Sequence, residues 1–513
     1  MAFESVVRMM ECLARDYPDK LALVCEDWRL TYGELNRRVN CLANTLIKMG
    51  IRKGDKVAVL NSNCVEMVES IYAVLKAGGV LVPLNPMVKG ESLRLLIDDS
   101  DSVAFFCGEA YTKEIDQLKA MLPKIRPDRY ICTGSAEVQG YVPYGKILKT
   151  GSGENPGVEI LPNDIFNIIY SSGTTGLPKG IIHTHDCRYS FILMGIKEFL
   201  INFQSVTLNS TPLYHNGSFL FTLPTLFLGG TVVLMRKFDP KGFLELVQKE
   251  RVTHAYLVPT QFITIMAQPD FHSYDTSSLQ VLESMAAPLT KKTKEDILTN
   301  FRCLLFELYG VTEGAGTVLK PMDQRRKIGS VGKAILGSDI RVVDDKMNDV
   351  PRGEVGEVAG RGEIMMQGYY KKPEITAATI VDGWVRTGDL GKLDEEGYLY
   401  LVGRKKDMII SGGVNIYPED IEEVVIRHPK VLEVAVFGVP DEKWGESPRA
   451  VVVLREGNDA TVHEIIEWAN ARLPGYQKIS GVDFLKSLPR NPAGKVLKRE
   501  LRAPFWKGLG REI

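Results

Sequence analysis

At 513 residues the chain is too long for one simple core, and its length implies two or three domains. A formal charge of −1 excludes the global field that marks nucleic-acid binding or attachment to an anionic membrane, so no nucleic-acid partner is expected. The eight cysteines form no C-x-x-C pair, which argues against a disulfide framework or a zinc site and for free thiols in a reducing cytoplasm.

At the N-terminus, Glu4, Arg8, Glu11, Arg15 and Asp16 interrupt the apolar residues, so a secretory signal is not expected. Thr31-Tyr32-Gly33-Glu34 has capping-box spacing, and Leu35, Val39, Leu42 and Leu46 then recur on one helical face until Gly50 closes the element. A strand over Lys56–Leu60, a helix over Val65–Lys76 ending at Gly78-Gly79, and a strand over 80–83 follow. Continuous apolar strands alternating with helices predict a parallel sheet covered on both faces.

Residues 164–169 form a β-rich apolar run that feeds straight into Tyr170-Ser171-Ser172-Gly173-Thr174-Thr175-Gly176-Leu177-Pro178-Lys179-Gly180. Glycines let backbone N–H groups approach phosphate oxygens, the Ser and Thr hydroxyls add donors, and Lys179 supplies a compact positive charge, so a polyanion is the expected ligand. A Walker loop is excluded because none of the Gly-Lys pairs, at Lys146, Lys333, Lys392 and Lys495, precedes Ser or Thr. The stretch resembles the phosphate loop of the adenylate-forming superfamily, which includes acyl-CoA synthetases, luciferases and peptide-synthetase adenylation domains. That resemblance implies that Ser171, Ser172, Gly173, Thr174, Thr175, Gly176 and Lys179 wrap the β- and γ-phosphates of ATP.

Further strands are expected at Val206–Asn209, 231–235, 254–258, 280–282 and 304–308, giving two α/β layers before residue 320. The most apolar stretch, 218–235, is broken by Pro224 and Gly229-Gly230, so it reads as a buried helix and a core strand rather than a membrane span. Between 329 and 402 short alternating runs and Gly, Asp and Lys turns predict a small antiparallel β unit. A smaller α+β segment follows, its first helix opened by Pro418, Glu419 and Asp420 and closed by Arg427, His428 and Pro429.

Four more stretches carry the same resemblance in the same chain order. In Glu307-Leu308-Tyr309-Gly310-Val311-Thr312-Glu313, read as a strand end passing into a loop, it implies that Tyr309 stacks on adenine with Gly310 in the same cofactor site, that Thr312 meets the α-phosphate, and that Glu313 meets a Mg²⁺ ion shared with Thr174. In Trp384-Val385-Arg386-Thr387-Gly388-Asp389 it implies that Asp389 accepts from the ribose hydroxyls, which Arg404 of Gly403-Arg404-Lys405-Lys406-Asp407 also reaches. In Leu488-Pro489-Arg490-Asn491-Pro492-Ala493-Gly494-Lys495 it makes Lys495 the catalytic cation between the substrate carboxylate and the α-phosphate. Taken alone, each stretch also reads as an ordinary loop, turn or solvated charge run.

The resemblance covers 31–502 and implies an α/β fold: a large N-terminal domain, 1–404, of two α/β layered sheets plus a small β-barrel-like unit. A small mobile α+β domain, 405–513, follows, with a hinge near 404–407 at Lys406. It implies an AMP-forming acyl-CoA ligase: a carboxylate attacks ATP to give acyl-adenylate and pyrophosphate, then the thiol of coenzyme A displaces AMP. Residues 411–415 are expected along the thiol's channel, with Gly413 leaving room for pantetheine.

By resemblance the acid pocket is lined by 212–217, 256–260, 284–288 and the residues after Glu313, with His215 gating or orienting the carboxylate. A hydrogen-bonded structural histidine is the equal alternative for His215. No Asp or Glu occurs between Ile201 and Phe238, where amino-acid-activating relatives keep an aspartate, so an amine-free apolar acid is expected, a medium- or long-chain fatty acid first. Met285 and Ala286 stand where many relatives have two glycines, and aromatic or alicyclic acids stay open. So do a carrier-protein acceptor, luciferase-like light emission, and a regulatory protein that keeps the fold without turnover. The partners implied are the acid, ATP and coenzyme A; peripheral membrane contact and a homodimer are compatible with the sequence and not required by it.

Overall fold

The structure, a computed structural model, describes residues 3–171, 179–287, 289–490 and 496–507. By internal contact the chain divides into two units: 1–329 with 334–339 and 360–385, and 330–333 with 340–359 and 386–513.

The first unit is built on two sheets. One runs, in spatial order, Gly368–Tyr369, Lys179–Thr184, Ile165–Ser171, Val80–Leu84, Lys56–Leu60, Ser102–Gly108, Tyr130–Thr133 and Val142–Pro143. The six strands from Ile165–Ser171 to Val142–Pro143 are parallel, while Lys179–Thr184 and Gly368–Tyr369 close the edge antiparallel. The other runs Ala315–Leu319, Leu304–Val311, Val281–Ser284, His254–Leu257, Val206–Asn209, Thr231–Leu234, Leu21–Cys25 and Trp28–Thr31. It is parallel except where Ala315–Leu319 and Trp28–Thr31 fold back as hairpins.

Helices Val6–Asp16, Tyr32–Lys48, Val65–Lys76, His185–Phe199 and Asn216–Phe227 share one apolar cluster with a face of each sheet. The capping box at Thr31 forms as expected, with Thr31 Oγ1 accepting from the Glu34 N–H and the Thr31 N–H donating to Glu34. Leu35, Val39, Leu42 and Leu46 are fully buried, each worth about 1.5–3 kcal/mol against exposure. Helices Pro240–Glu250, Pro259–Met266 and Lys291–Asn300 cover the far face of the second sheet, and Gly90–Asp99 and Thr112–Leu118 that of the first. Pro224 falls inside the buried helix Asn216–Phe227, which the core strand Thr231–Leu234 follows.

Two sequence expectations change. The strand expected to stop at 308 runs on to Val311, because Ala315–Leu319 folds back and pairs with it along its length. Tyr309 and Gly310 are therefore strand residues, and the loop is only the turn that follows. The stretch 329–402 is divided: residues 360–385 belong to the first unit, where Gly368 and Tyr369 pair with Ile182 and Ile181.

In the second unit, Leu399–Arg404 runs antiparallel to 386–393. Farther along, Val414–Ile416, Ile409–Ser411, Gly445–Leu454 and Val431–Asp441 form a sheet in that order, with Gly481–Phe484 beside Gly445–Leu454. Helices Pro418–Val425 and Val462–Asn470 pack with one apolar cluster of this sheet. Helix Lys498–Trp506 lies on Val431–Asp441, with Trp506 Nε1–H donating to the Gly438 carbonyl at 2.9 Å.

Candidate active site

Strands Ile165–Ser171 and Lys179–Thr184 are antiparallel, and Ser171 pairs with Lys179, which sets the two ends of the glycine-rich loop side by side. Ser172, Gly173, Thr174, Thr175 and Gly176 lie outside the described residues. Lys179 Nζ sits 5.1 Å from the centre of the Tyr369 ring, and the Tyr369 hydroxyl donates to Glu313 Oε1 at 2.8 Å. Burial and the neighbouring Glu313 hold that phenol well above its ordinary pKa, so it stays a donor. The Met366 N–H donates to the Glu313 carbonyl at 2.9 Å. Among the described residues no cation pairs with the Glu313 carboxylate, and no three His, Cys, Asp or Glu side chains gather as a ready-made metal cradle, so Glu313 would be a single protein carboxylate for a cation held mainly by other ligands.

Thr312 is anchored through its carbonyl, which accepts from His183 Nε2 at 2.9 Å. On its other side His183 Nδ1 faces Arg188 Nη2 at 3.0 Å and Asn167 Nδ2 at 3.1 Å. A carbonyl only accepts and a guanidinium only donates, so His183 is the neutral Nε2–H tautomer. Its pKa agrees, held well below the ordinary value by burial and by Arg188.

The expected acid-binding side centres on the turn at the start of helix Asn216–Phe227. His215 is its N-cap residue, with its Nε2 shut from solvent and without a hydrogen-bond partner among the described residues. Burial pushes its pKa down to about 4, so the ring is neutral at working pH. Ser218 ties the turn down through Tyr256, its Oγ lying 2.8 Å from the phenol oxygen. Met285 Sδ lies 2.7 Å from where a Cβ on Gly217 would stand, and the next residue, Ala286, takes φ +70°. A left-handed backbone at an alanine marks a position that glycine would occupy without strain.

In the second unit the two ribose candidates meet directly. Asp389 and Arg404 are cross-strand partners, with Arg404 Nε 3.3 Å from Asp389 Oδ1, and Asp389 is buried. Thr387 supports this strand by donating its hydroxyl to the Val358 carbonyl and accepting from the Asp389 N–H. Gly413 follows Gly412 at the tip of the hairpin Ile409–Ser411 to Val414–Ile416, at φ +82° and +56°, and nothing lies within 4 Å of a Cβ built on Gly413. The absence of a side chain there is explained by the turn and leaves open space above it. Lys495 lies outside the described residues; Arg490 and Val496, which bracket that segment, pair with one another.

Around the expected hinge, Lys406 is exposed, and the Asp407 and Met408 N–H groups both donate to the Arg404 carbonyl. Arg502 Nη1 lies 3.7 Å from Asp407, and Lys498 Nζ 2.8 Å from Glu422 and 3.7 Å from Glu419. Gly403 takes φ +141°, and a Cβ there would fall 2.4 Å from Glu419 Oε2, so a side chain would meet backbone strain and would have to displace the carboxylate. Burial pushes Glu419 up to about 7 from 4.5, despite the opposing pull of Lys498. The folded unit therefore holds a proton that the unfolded chain releases. The resulting stability is complete below about pH 4.5 and is lost as pH rises through about 7. Glu419→Gln should flatten the pH dependence of unfolding over that window. Tryptophan fluorescence in a denaturant titration reads it out through Trp444, Trp468 and Trp506 of this unit, and an unchanged slope would contradict the assignment.

Four residues that the sequence did not single out enter this geometry: Asn167, His183, Arg188 and Tyr369. Asn167 carried a signal, since it is an amide in the middle of an apolar run, and a buried amide demands partners. The others carried none, because their role depends on strands far away in sequence.

Comparison with known proteins gives consistent matches. The model of the AMP-binding enzyme family matches residues 11–370, and that of the AMP-binding enzyme C-terminal domain matches residues 420–495. A feruloyl-CoA synthase from an Amycolatopsis species is 37% identical, covering 96% of this chain and 97% of its own. The long-chain-fatty-acid–CoA ligase FadD13 of Mycobacterium tuberculosis is 34% identical, covering 93% and 94%. The ATP-bound crystal structure of MatB from Rhodopseudomonas palustris superposes with a TM-score of 0.89 at 30% identity, covering 99% and 100%. Among the described residues no helix is long and apolar enough to cross a membrane.

Proposed function

The chain belongs to the AMP-binding enzyme family and is an acid–thiol ligase of that class, and from this premise we propose that it joins an apolar carboxylic acid to coenzyme A through an acyl-adenylate. The observation that carries the acid class is the apolar, carboxylate-free make-up of the acid-binding turn and its helix. Residues 202–237 hold no carboxylate, and the helix Asn216–Phe227 is buried from Ser218 onward. A charged ammonium on the substrate would find no counter-ion there, and its desolvation would go uncompensated.

In this reading Ser171, Ser172, Gly173, Thr174, Thr175, Gly176 and Lys179 hold the β- and γ-phosphates, and Tyr309 with Gly310 holds adenine. Thr312 holds the α-phosphate, while Asp389 and Arg404 hold the ribose. Glu313 and Thr174 would hold Mg²⁺, which supplies positive charge to the phosphates when bound. A carboxylate oxygen attacks the α-phosphorus and the bond to pyrophosphate breaks, with Lys495 offsetting the charge gathered between the two anions. His215, neutral by its burial, orients the carboxylate rather than taking a proton from it. The thiolate of coenzyme A, passing Gly413, then attacks the acyl carbon and AMP leaves. The division into 1–404 and 405–513 with Lys406 as hinge, and a cytoplasmic location, belong to the same reading.

A medium- or long-chain fatty acid is the first choice of substrate. An aromatic acid is the second, favoured by Met285, whose thioether crowds Gly217 and shortens the room beside the turn. Pyrophosphate release from Mg-ATP, measured over short, medium and long fatty acids, benzoate-like acids and alicyclic acids with and without coenzyme A, decides between them. A preferred acid with coenzyme A-dependent turnover is expected. Release that coenzyme A does not accelerate would point to another thiol acceptor, and no release with any acid would favour a regulatory protein of the same fold.

A further inference from the structure

Arg188, in the first turn of helix His185–Phe199, is 1% exposed and makes no ion pair among the described residues. Among the described residues its guanidinium is held only by neutral groups. Nε–H donates to Asn167 Oδ1 at 2.8 Å, an Nη1–H to Asn216 Oδ1 at 2.7 Å, and an Nη2–H to His183 Nδ1 at 3.0 Å. The rings of Phe166, Phe191 and Phe219 lie between 5.2 and 5.9 Å from Cζ. Burial lowers its pKa to about 10, which leaves it charged at neutral pH.

A buried cation without a carboxylate is costly, and stability alone would favour an apolar side chain in its place. Its three partners show what it holds. Asn167 lies in the strand that enters the phosphate loop. His183 carries the contact onward to the Thr312 carbonyl. Asn216 is the first residue after His215 in the acid-binding turn. One rigid, planar fork thus spans three separate segments, which a single ammonium could not do.

On the ligase reading above, we propose that Arg188 is a positioning residue that ties the acid-binding turn to the nucleotide motif. It acts through Asn216 on one side and through His183 and Thr312 on the other, so that the acid turn and the nucleotide site are energetically coupled. Neither Arg188 nor Asn216 is assigned a contact with the nucleotide; the tie reaches the α-phosphate only through the Thr312 backbone.

Calorimetric binding of AMP to the full chain tests this without an identified acid. Arg188→Met and Asn216→Ala should each weaken AMP binding by roughly fivefold or more, the low end of ordinary coupling between sites. Unchanged AMP affinity in Asn216→Ala overturns the proposal, because a turn that merely packs beside the nucleotide site would not transmit its loss. Arg188→Lys keeps the charge but not the fork and should stay near Arg188→Met; full recovery would also overturn it. If Arg188→Met fails to fold, a cycle of Asn216→Ala and His183→Ala decides. Their effects on AMP affinity should be non-additive if both work through one guanidinium, and strictly multiplicative effects reject the tie. Pyrophosphate release by the wild type, in the acid panel above, is read separately: its absence counts against the ligase reading, and the AMP affinities still decide the role of Arg188.

Discussion

Replacing Lys495 with Ala is expected to reduce acyl-adenylate formation by roughly 100-fold or more, the scale on which loss of one preorganised charge stabiliser acts. Two anions, a carboxylate and an α-phosphate, must be brought into bonding distance, and negative charge accumulates between them as the bond forms. A single cation placed there acts most strongly in the transition state. Thioester formation from supplied acyl-adenylate should be largely retained, because the anions have by then been joined. The check is pyrophosphate release in the first half-reaction against AMP release from the preformed adenylate in the second. Equal loss of both would remove Lys495 from its assigned role.

Lys406→Pro is expected to divide the half-reactions in the opposite sense, slowing the thioester step by about tenfold or more, a rise of about 1.4 kcal/mol in its barrier, while adenylation changes little. Proline locks φ near −65° and drives the preceding residue towards extended backbone. That preceding residue is Lys405, which pairs with Asp345 at 2.6 Å and Glu357 at 3.2 Å, and residues 404–408 form a hydrogen-bonded turn onto the Arg404 carbonyl. A hinge that must pass through more than one backbone state would be held in one. Measuring the two half-reactions separately checks this, and survival of both would place the hinge elsewhere.

These two expectations rest on motifs that could be read in the chain, and the same motifs show where such reading stops. The Thr31 capping box, the apolar face of Leu35, Val39, Leu42 and Leu46, and the strands Lys56–Leu60, Val80–Leu84, Val206–Asn209 and Thr231–Leu234 appear where periodicity placed them, whereas Ser102–Gly108, Tyr130–Thr133 and Leu21–Cys25 are not among the expected strands. Tyr309 and Gly310 do not stand in a loop, because a strand's end depends on whether the following segment folds back to pair with it. Residues 360–385 read as part of one β unit until Tyr369 is seen bonded to Glu313, an interaction across 56 positions of sequence.

Local chemistry was thus determined by the sequence itself: the glycine-rich loop, the carboxylate at 313, the pair Asp389 and Arg404, and the lack of any acid between Ile201 and Phe238. These depend on residue type, spacing and order, which are one-dimensional. Only the tertiary structure decided that Asp389 and Arg404 face each other across a strand pair, that His183 is a neutral donor to Thr312, and that Arg188, with no ion pair among the described residues, binds three segments at once. The physical reason is that a buried polar group is defined by its partners. Those partners are chosen when sheets and helices pack, by contacts that no local propensity contains.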